Sequence, residues 1–249
     1  YVKYLGNLAQ VDLGRSLSMR TPVASEIAKH FPATVELALT ALLLAVLWGL
    51  PLGVWAAVKA GGMRDYVANT LALFGMSVPG VFLGPFLIYL FAIQLDWFPV
   101  SDRGASSWPS LAHLILPASS LALPLGSVIM RMTRASVMDV LNEDYIRTAR
   151  SKGLGDRAVY FKHALKNALI PIVTILGLQL SALLTGTVVT ETIFDWPGIG
   201  SLIFTAIQRR DYPLVQGCVL FVASIYVLVN LFTDVMYGVV NPKVRTGAV

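Results

Sequence analysis

Apolar positions along this chain gather into five long blocks, and charged residues are confined to the breaks between them and to the two ends of the chain. The stretches free of Asp, Glu, Lys and Arg run from Leu37 to Val58, Tyr66 to Leu95, Gly104 to Met130, Asn167 to Thr190 and Tyr212 to Thr233. Each matches or exceeds the roughly 20 residues that a helix needs to cross about 30 Å of hydrocarbon. The pattern predicts an all-α, polytopic transmembrane helix bundle. The first span is entered through His30-Phe31-Pro32-Ala33-Thr34, where a proline is compatible with a first helical turn, and it ends at Ala60-Gly61-Gly62.

Within the second block, Gly75, Pro79, Gly80, Gly84 and Pro85 interrupt the backbone hydrogen bonding near mid-membrane. Such a break is tolerated where neighbouring helices or a water-lined cavity satisfy the freed groups. The fourth block carries Gln179, Ser181, Thr185, Thr187 and Thr190, small and polar residues that serve either close helix packing or a pathway. Met76, Ser77, Gln179, Thr185 and Thr187 are the expected pathway-lining residues. Outside the membrane, a turn at Phe194-Asp195-Trp196-Pro197-Gly198-Ile199-Gly200 leads into a short amphipathic helix over residues 201–210, at the level where Trp97, Trp108 and Trp196 would form an aromatic belt.

The longest polar break, from Arg131 to Lys166, holds eight of the nineteen basic residues: Arg131, Arg134, Arg147, Arg150, Lys152, Arg157, Lys162 and Lys166. Helix formers flank the single Gly153-Leu154-Gly155 break, so two short helices joined at a turn are expected. Basic loops resist translocation, which places this island inside the cell. Alternation outward from it puts twelve basic residues on the cytoplasmic side. The outer segments, residues 1–32, Asp96 to Arg103 and Ile193 to Asp211, keep seven against six acids, so the positive balance lies inside. Residues 1–32 then form an external segment and residues 33–249 a membrane domain. An external start, an odd number of spans and an internal tail together predict a further helix preceding Tyr1.

Composition agrees: 56% of the 249 residues are apolar and 13% charged, too little polar surface to enclose a soluble core of this size. It also removes several classes of chemistry. Gly75-Met76-Ser77-Val78-Pro79 has the outline of a nucleophile elbow but no acid or histidine at its depth. Gly153-Leu154-Gly155-Asp156 lacks the second intramembrane aspartate that a proteolytic dyad needs. His30, His113 and His163 are scattered, no P-loop is present, and Cys218, the single cysteine, sits in an apolar span. No catalytic or metal site is expected. Ion-coupled carriers place ionisable residues inside the membrane, and here the spans hold only His113. A solute pump of this kind would draw its energy from another subunit docked at the basic island. The competing classes are a self-sufficient channel or secondary transporter, and a membrane enzyme.

Asp144-Tyr145-Ile146-Arg147-Thr148-Ala149-Arg150-Ser151-Lys152-Gly153-Leu154, followed by His163-Ala164-Leu165-Lys166-Asn167-Ala168-Leu169-Ile170-Pro171, resembles the cytoplasmic EAA loop of ABC importer permeases. The likeness is to the first-permease branch of the dipeptide and oligopeptide family. Asp12-Leu13-Gly14-Arg15-Ser16, the run Phe31 to Leu39, Thr190-Glu191-Thr192-Ile193-Phe194 and Pro197-Gly198-Ile199-Gly200 agree with it, so it covers nearly the whole chain. Arg147-Thr148-Ala149 stands where the general motif has Glu-Ala-Ala, and Leu165-Lys166 where it has Leu-Pro, with the proline delayed to Pro171.

The resemblance implies the type I ABC importer permease fold with six helices, in a bacterial or archaeal inner membrane. It implies a second homologous permease, one or two cytoplasmic ATPases that hydrolyse ATP with Mg, and an extracytoplasmic substrate-binding protein. Lipid surrounds the spans, and no nucleic acid and no cofactor of the chain's own are implied. Asp144, Tyr145, Arg147, Thr148, Ala149, Arg150, Lys152, Gly153, Leu154 and Gly155 would form the coupling helix and its turn in a groove of the ATPase, with Arg147, Arg150 and Lys152 meeting acidic groups there, Ala149 packing closely and Gly153 permitting the turn. Phe194, Trp196, Gln208, Arg209 and Arg210 would meet the binding protein. Peptides, glutathione-like compounds and nickel chelates are all carried by relatives.

Overall fold

A computed structural model describes residues 6, 12–100, 111–155 and 159–240, a few of them by backbone alone. Among the described residues the α-helices are α1 (Val23–Val58), α2 (Met63–Ser77), α3 (Gly80–Leu87), α4 (Leu111–Leu141), α5 (Asp144–Ser151), α6 (Leu165–Gly186), α7 (Val188–Ile193), α8 (Ile199–Gln208) and α9 (Tyr212–Val240). Helix α3 continues into a π-helical segment, Ile88–Gln94, and a second one, Val159–Ala164, precedes α6. Among the described residues, four helical stretches are long and apolar enough to cross a membrane, and a fifth results if Met63–Ser77 and Gly80–Gln94 are counted as one broken span. The break lies at Val78, whose backbone is extended, and Pro79, as the glycine and proline content predicts.

Several boundaries differ from the sequence expectation. Helix α1 starts at Val23, nine residues before Pro32, so Pro32 lies inside the helix rather than at its entry. Val23, Ile27 and Phe31 recur at a spacing of four and join a core with Ile199, Leu202, Leu214 and Cys218. That burial extends the helix beyond the apolar block and outweighs the one hydrogen bond the proline removes. Helix α4 likewise continues to Leu141, so the first third of the basic island is the end of a long helix. The rest is one short helix, α5, a turn and the π-helical segment. Arg157 lies outside the described residues, as does Trp108.

Packing divides the chain into two compact units. The first comprises Tyr1–Thr40, Gly80–Ser120 and Ser181–Leu228, and the second Ala41–Pro79, Leu121–Leu180 and Val229–Val249. In the first, α8 lays Ile199, Leu202 and Ala206 into the Val23/Ile27/Leu214 core, and Phe31 meets Phe221 edge-on with centroids 5.0 Å apart. In the second, α1 and α4 approach so closely that a Cβ at Gly53 would strike the Met130 carbonyl and Thr133. Small residues at such crossings let membrane helices gain dispersion contact where no hydrophobic force between helices is available. Asp65, at the start of α2, is buried there and pairs with Arg134 of α4. Its two oxygens also accept from the Gly61 amide at 2.8 Å and from Asn69 Nδ2 at 2.6 Å.

Candidate functional site

Helix α5 is the exposed piece of the basic island. Ile146, fully buried, packs with Val159 and Ala164 and against Val140 and Leu141. Ala149, one turn on, is also buried. This i, i+3 pair turns the opposite face outward, leaving Asp144, Tyr145, Arg147, Thr148, Lys152, Leu154 and Gly155 exposed. The small, buried side chain of Ala149 lies on the same face of α5 as Ile146. Asn167 Nδ2 donates to Tyr145 Oη at 2.7 Å, which ties the start of α5 to α6. Arg147 and Asp144 lie 3.7 Å apart with both side chains mostly in solvent, an arrangement that contributes little and leaves the guanidinium available.

Where α5 ends, Gly153 takes φ +79° and the Leu154 amide donates to the Ala149 carbonyl at 3.3 Å. This is the six-to-one bond of a Schellman cap, which needs a left-handed residue at Gly153's position. The Gly-Leu-Gly break is thus a built stop that fixes the direction of the exposed helix end. Arg150 is in the last turn of α5.

The outer segment holds a second constellation, in the first unit. Glu191 of α7 is fully buried and its Oε1 accepts from Thr34 Oγ1 at 2.9 Å and Thr187 Oγ1 at 2.7 Å. Oε2 accepts from the Ser201 amide at 2.9 Å, and the Ile199 amide donates to Thr34 Oγ1 at 2.8 Å. Ile199 and Ser201 open α8, and the N-cap residue Gly198 has no side chain to cap with. Glu191 supplies the missing cap from another helix and places a carboxylate at the positive helix end. Gly198 and Gly200 are required because a Cβ at either would collide with the Glu191 carboxyl.

Around this carboxylate several expected contact residues prove internal. Trp196 is fully buried and its Nε1 donates to the Ala33 carbonyl at 2.8 Å, so it belongs to no surface belt. Phe194 is buried in a cluster with Ala92 and Leu116. Neither side chain is on the surface to meet a binding protein, because both fill the core that the outer turn covers. Thr187 is buried and its hydroxyl is committed to Glu191. Gln208, Arg209 and Arg210 are exposed as expected. Met76 and Ser77 are exposed at the end of α2, Ser77 Oγ donating to the Leu73 carbonyl at 2.7 Å. Gln179 is half-buried, and Thr185 Oγ1 donates back to the Ser181 carbonyl at 2.9 Å. Met76, Ser77 and Gln179 fall in one packing unit and Thr185 and Thr187 in the other.

Asp211 was not foreseen either. It is fully buried and accepts from Ser16 Oγ at 2.5 Å, Ser18 Oγ at 2.8 Å, the Ser18 amide at 3.0 Å and the Leu17 amide at 3.1 Å. It also caps α9 through the Leu214 amide at 3.3 Å. Burial alone would raise its pKa, but the hydroxyl and amide donors prevail and hold the carboxyl well below the usual carboxylate range. A lowered folded-state pKa contributes stability that is present above about pH 4, the unfolded value, and is lost as pH falls below it. The Tm of the purified protein is therefore expected to drop on acidification from pH 5 to pH 3. Asp211→Asn should start lower and change less over the same range. Equal pH profiles would refute the assignment.

Residues 49–246 match the family described as binding-protein-dependent transport system inner membrane component. The chain belongs to this family. The permease is 47% identical to the di/tripeptide transport system permease protein DppB of Pseudomonas aeruginosa, over 98% of its own length and 80% of that protein's. It is 45% identical to the dipeptide transport system permease protein DppB of Escherichia coli K12, with the same coverage. Identity to the glutathione transport system permease protein GsiC of Shigella flexneri is 43%, over 97% of this chain and 78% of that one. Its fold is that of solved ABC importer permeases: a chain of the MetNI methionine ABC transporter superposes with TM-score 0.73 at 14% identity, covering 86% of this chain and 96% of that one. The permease is an inner membrane protein, and it is a translocation component of an importer. Among the described residues, no group of three or more His, Cys, Asp or Glu side chains is placed to hold a metal ion.

Proposed function

We propose that this permease conducts di- or tripeptides into the cell as one half of a two-permease pathway, driven by ATP hydrolysed with Mg on cytoplasmic ABC ATPases. The observation that carries the reading is the 45–47% identity, over 98% of the chain, to the dipeptide and di/tripeptide permeases. The exposed face of α5, with Arg147, Thr148 and Lys152 ahead of the Gly153 turn and Arg150 in the same last turn, docks on the ATPase. The Gln208-Arg209-Arg210 corner, solvent-exposed at the outer end of α8, receives the loaded binding protein. Pathway lining falls to Met76, Ser77 and Gln179 in the second unit and, taken by itself, to Thr185 in the first. The chain itself performs no covalent chemistry. Differential binding of ATP to two arrangements of the assembly switches access from outside to inside.

A second reading has its own support. The alignments to the two dipeptide-type permeases run over 269 and 272 residues, more than the 249 of this chain, so those relatives carry segments it lacks. The alignment to the glutathione permease is 242 residues long and covers 97% of the chain, almost without gaps. Glutathione is itself a tripeptide, and a peptide-like substrate is common to both readings. Uptake decides between them. Proteoliposomes holding the two permeases and the ATPases, supplied with the cognate binding protein, are expected to accumulate labelled Ala-Ala or tri-alanine in an ATP-dependent manner. Accumulation of glutathione alone would select the second reading, and accumulation of neither would overturn both.

A further inference from the structure

We propose that the permease carries a binding site for one anionic phospholipid of the inner leaflet, formed by the end of α1 and the start of α2. A groove of about 530 Å³ lies there, within the second unit, walled by Leu50, Pro51, Val54, Trp55, Val58 and Tyr160, with Arg64 at its mouth. Its volume is in the range of small-ligand sites, and its walls are almost wholly apolar.

Three features identify the occupant. Leu50 to Val58 cover eight helical steps, about 12 Å of depth from the end of α1 into the hydrocarbon, which suits an acyl chain entering from the cytoplasmic interface. Arg64 stands where a headgroup phosphate would lie. Its guanidinium carbon sits 5.5 Å from the centroid of the Trp55 ring, an exposed aromatic at interface depth that holds the cation over the mouth.

The neighbouring acid does not neutralise it. Asp65 is turned inward and committed to Arg134, Gly61 and Asn69, so the charge facing the groove is positive, and exposed Lys59 adds to it on the same turn. An apolar slot with a guanidinium at its cytoplasmic rim that pairs with no acid among the described residues fits a phosphate monoanion on acyl chains better than a zwitterion or a protein helix.

The inference rests on the cytoplasmic placement of the α1–α2 turn, and its test reads lipid rather than uptake, so a wrong substrate leaves it standing. The assembled transporter in detergent is exchanged with equal amounts of phosphatidylglycerol and phosphatidylcholine of the same chains, and retained lipid is counted by native mass spectrometry. Phosphatidylglycerol should be retained over phosphatidylcholine by about fivefold, the factor for about 1 kcal/mol per basic residue near the surface.

Arg64→Gln should abolish the preference while the complex stays monodisperse. Leu50→Trp, which fills the slot, should reduce retention of both lipids. Glycerol phosphate without chains should not compete. Equal retention of the two lipids by the wild type, or an unchanged preference in Arg64→Gln, would overturn the site. So would displacement by glycerol phosphate alone, the mark of a simple anion site, or crosslinking of Trp55→Cys to another subunit, the mark of a protein cover.

Discussion

Glu191→Ala is expected to lower the thermal stability of the purified permease by several kcal/mol. The substitution removes the acceptor for Thr34 Oγ1, Thr187 Oγ1 and the Ser201 amide in a fully buried place. A buried donor left without a partner costs about 1–3 kcal/mol. Three donors therefore give a loss of about 3 kcal/mol at the least, on the order of 10 °C in Tm for a chain of this length. The bond to the Ser201 amide is itself the cap on α8, so the same loss frees the first turn of that helix. Glu191→Gln keeps the shape and one acceptor oxygen but turns an N–H2 toward donors, so it should fall between wild type and alanine. Scanning fluorimetry in detergent reads both variants. A Tm for Glu191→Ala within 2 °C of wild type, an effect of about 1 kcal/mol or less, would show that the network does not hold α8 in place.

Gly153→Pro should abolish the stimulation of ATP hydrolysis by loaded binding protein while leaving membrane insertion and yield unchanged. Gly153 has φ +79° with nothing within 4 Å of where a Cβ would stand, so the constraint is backbone conformation and not space. Proline fixes φ near −65° and removes an N–H, which unwinds the Schellman stop and redirects the end of α5. Asparagine tolerates the left-handed region at little cost, so Gly153→Asn should retain coupling. That pair separates geometry from side-chain chemistry. Arg147→Glu tests the charge on the same face, since Arg147 is mostly exposed and its nearby Asp144 does not restrain it. Ala149→Glu is a poor probe, because it would force a carboxylate against the buried inner face of α5 and disturb the helix itself. Basal and stimulated ATPase rates of the assembled transporter supply the readout. Wild-type stimulation in Gly153→Pro would remove α5 from the coupling path.

Why α5 was legible and the outer carboxylates were not follows from what each depends on. The stop at Gly153-Leu154-Gly155 is local: a glycine among helix formers has few other reasons to be there, and six residues contain the whole motif. Glu191 and Asp211 depend on partners far away in sequence, Thr34 and Ser16 to Ser18. From the sequence they are two acids in an outer polar segment, one beside a run of threonines and one before a helix. A signal for Glu191 was present in the glycines of Gly198-Ile199-Gly200, which have no nucleotide to bind and make sense only if something must come close. Trp196 and Phe194 were misplaced for the same reason. Aromatics at the end of a span are read as interface residues, and only tertiary packing turned them inward, Trp196 onto the Ala33 carbonyl of α1 and Phe194 into the cluster with Ala92 and Leu116.

By itself the sequence determined that the chain crosses a membrane in a helical bundle, which side its basic island faces, that the second span is broken, and where the island's exposed helix stops. These rest on hydrocarbon thickness, on the retention of Lys and Arg inside, and on glycine and proline backbone limits, all of which act within a few residues. The tertiary structure decided the true start of α1, the inward turn of Ala149, Phe194 and Trp196, and the pairing of Asp65 with Arg134. It also decided that two outer carboxylates act as caps rather than contacts. Those outcomes depend on which surfaces meet, and in a chain whose spans are apolar on every face, hydrophobicity alone does not select the faces that pack.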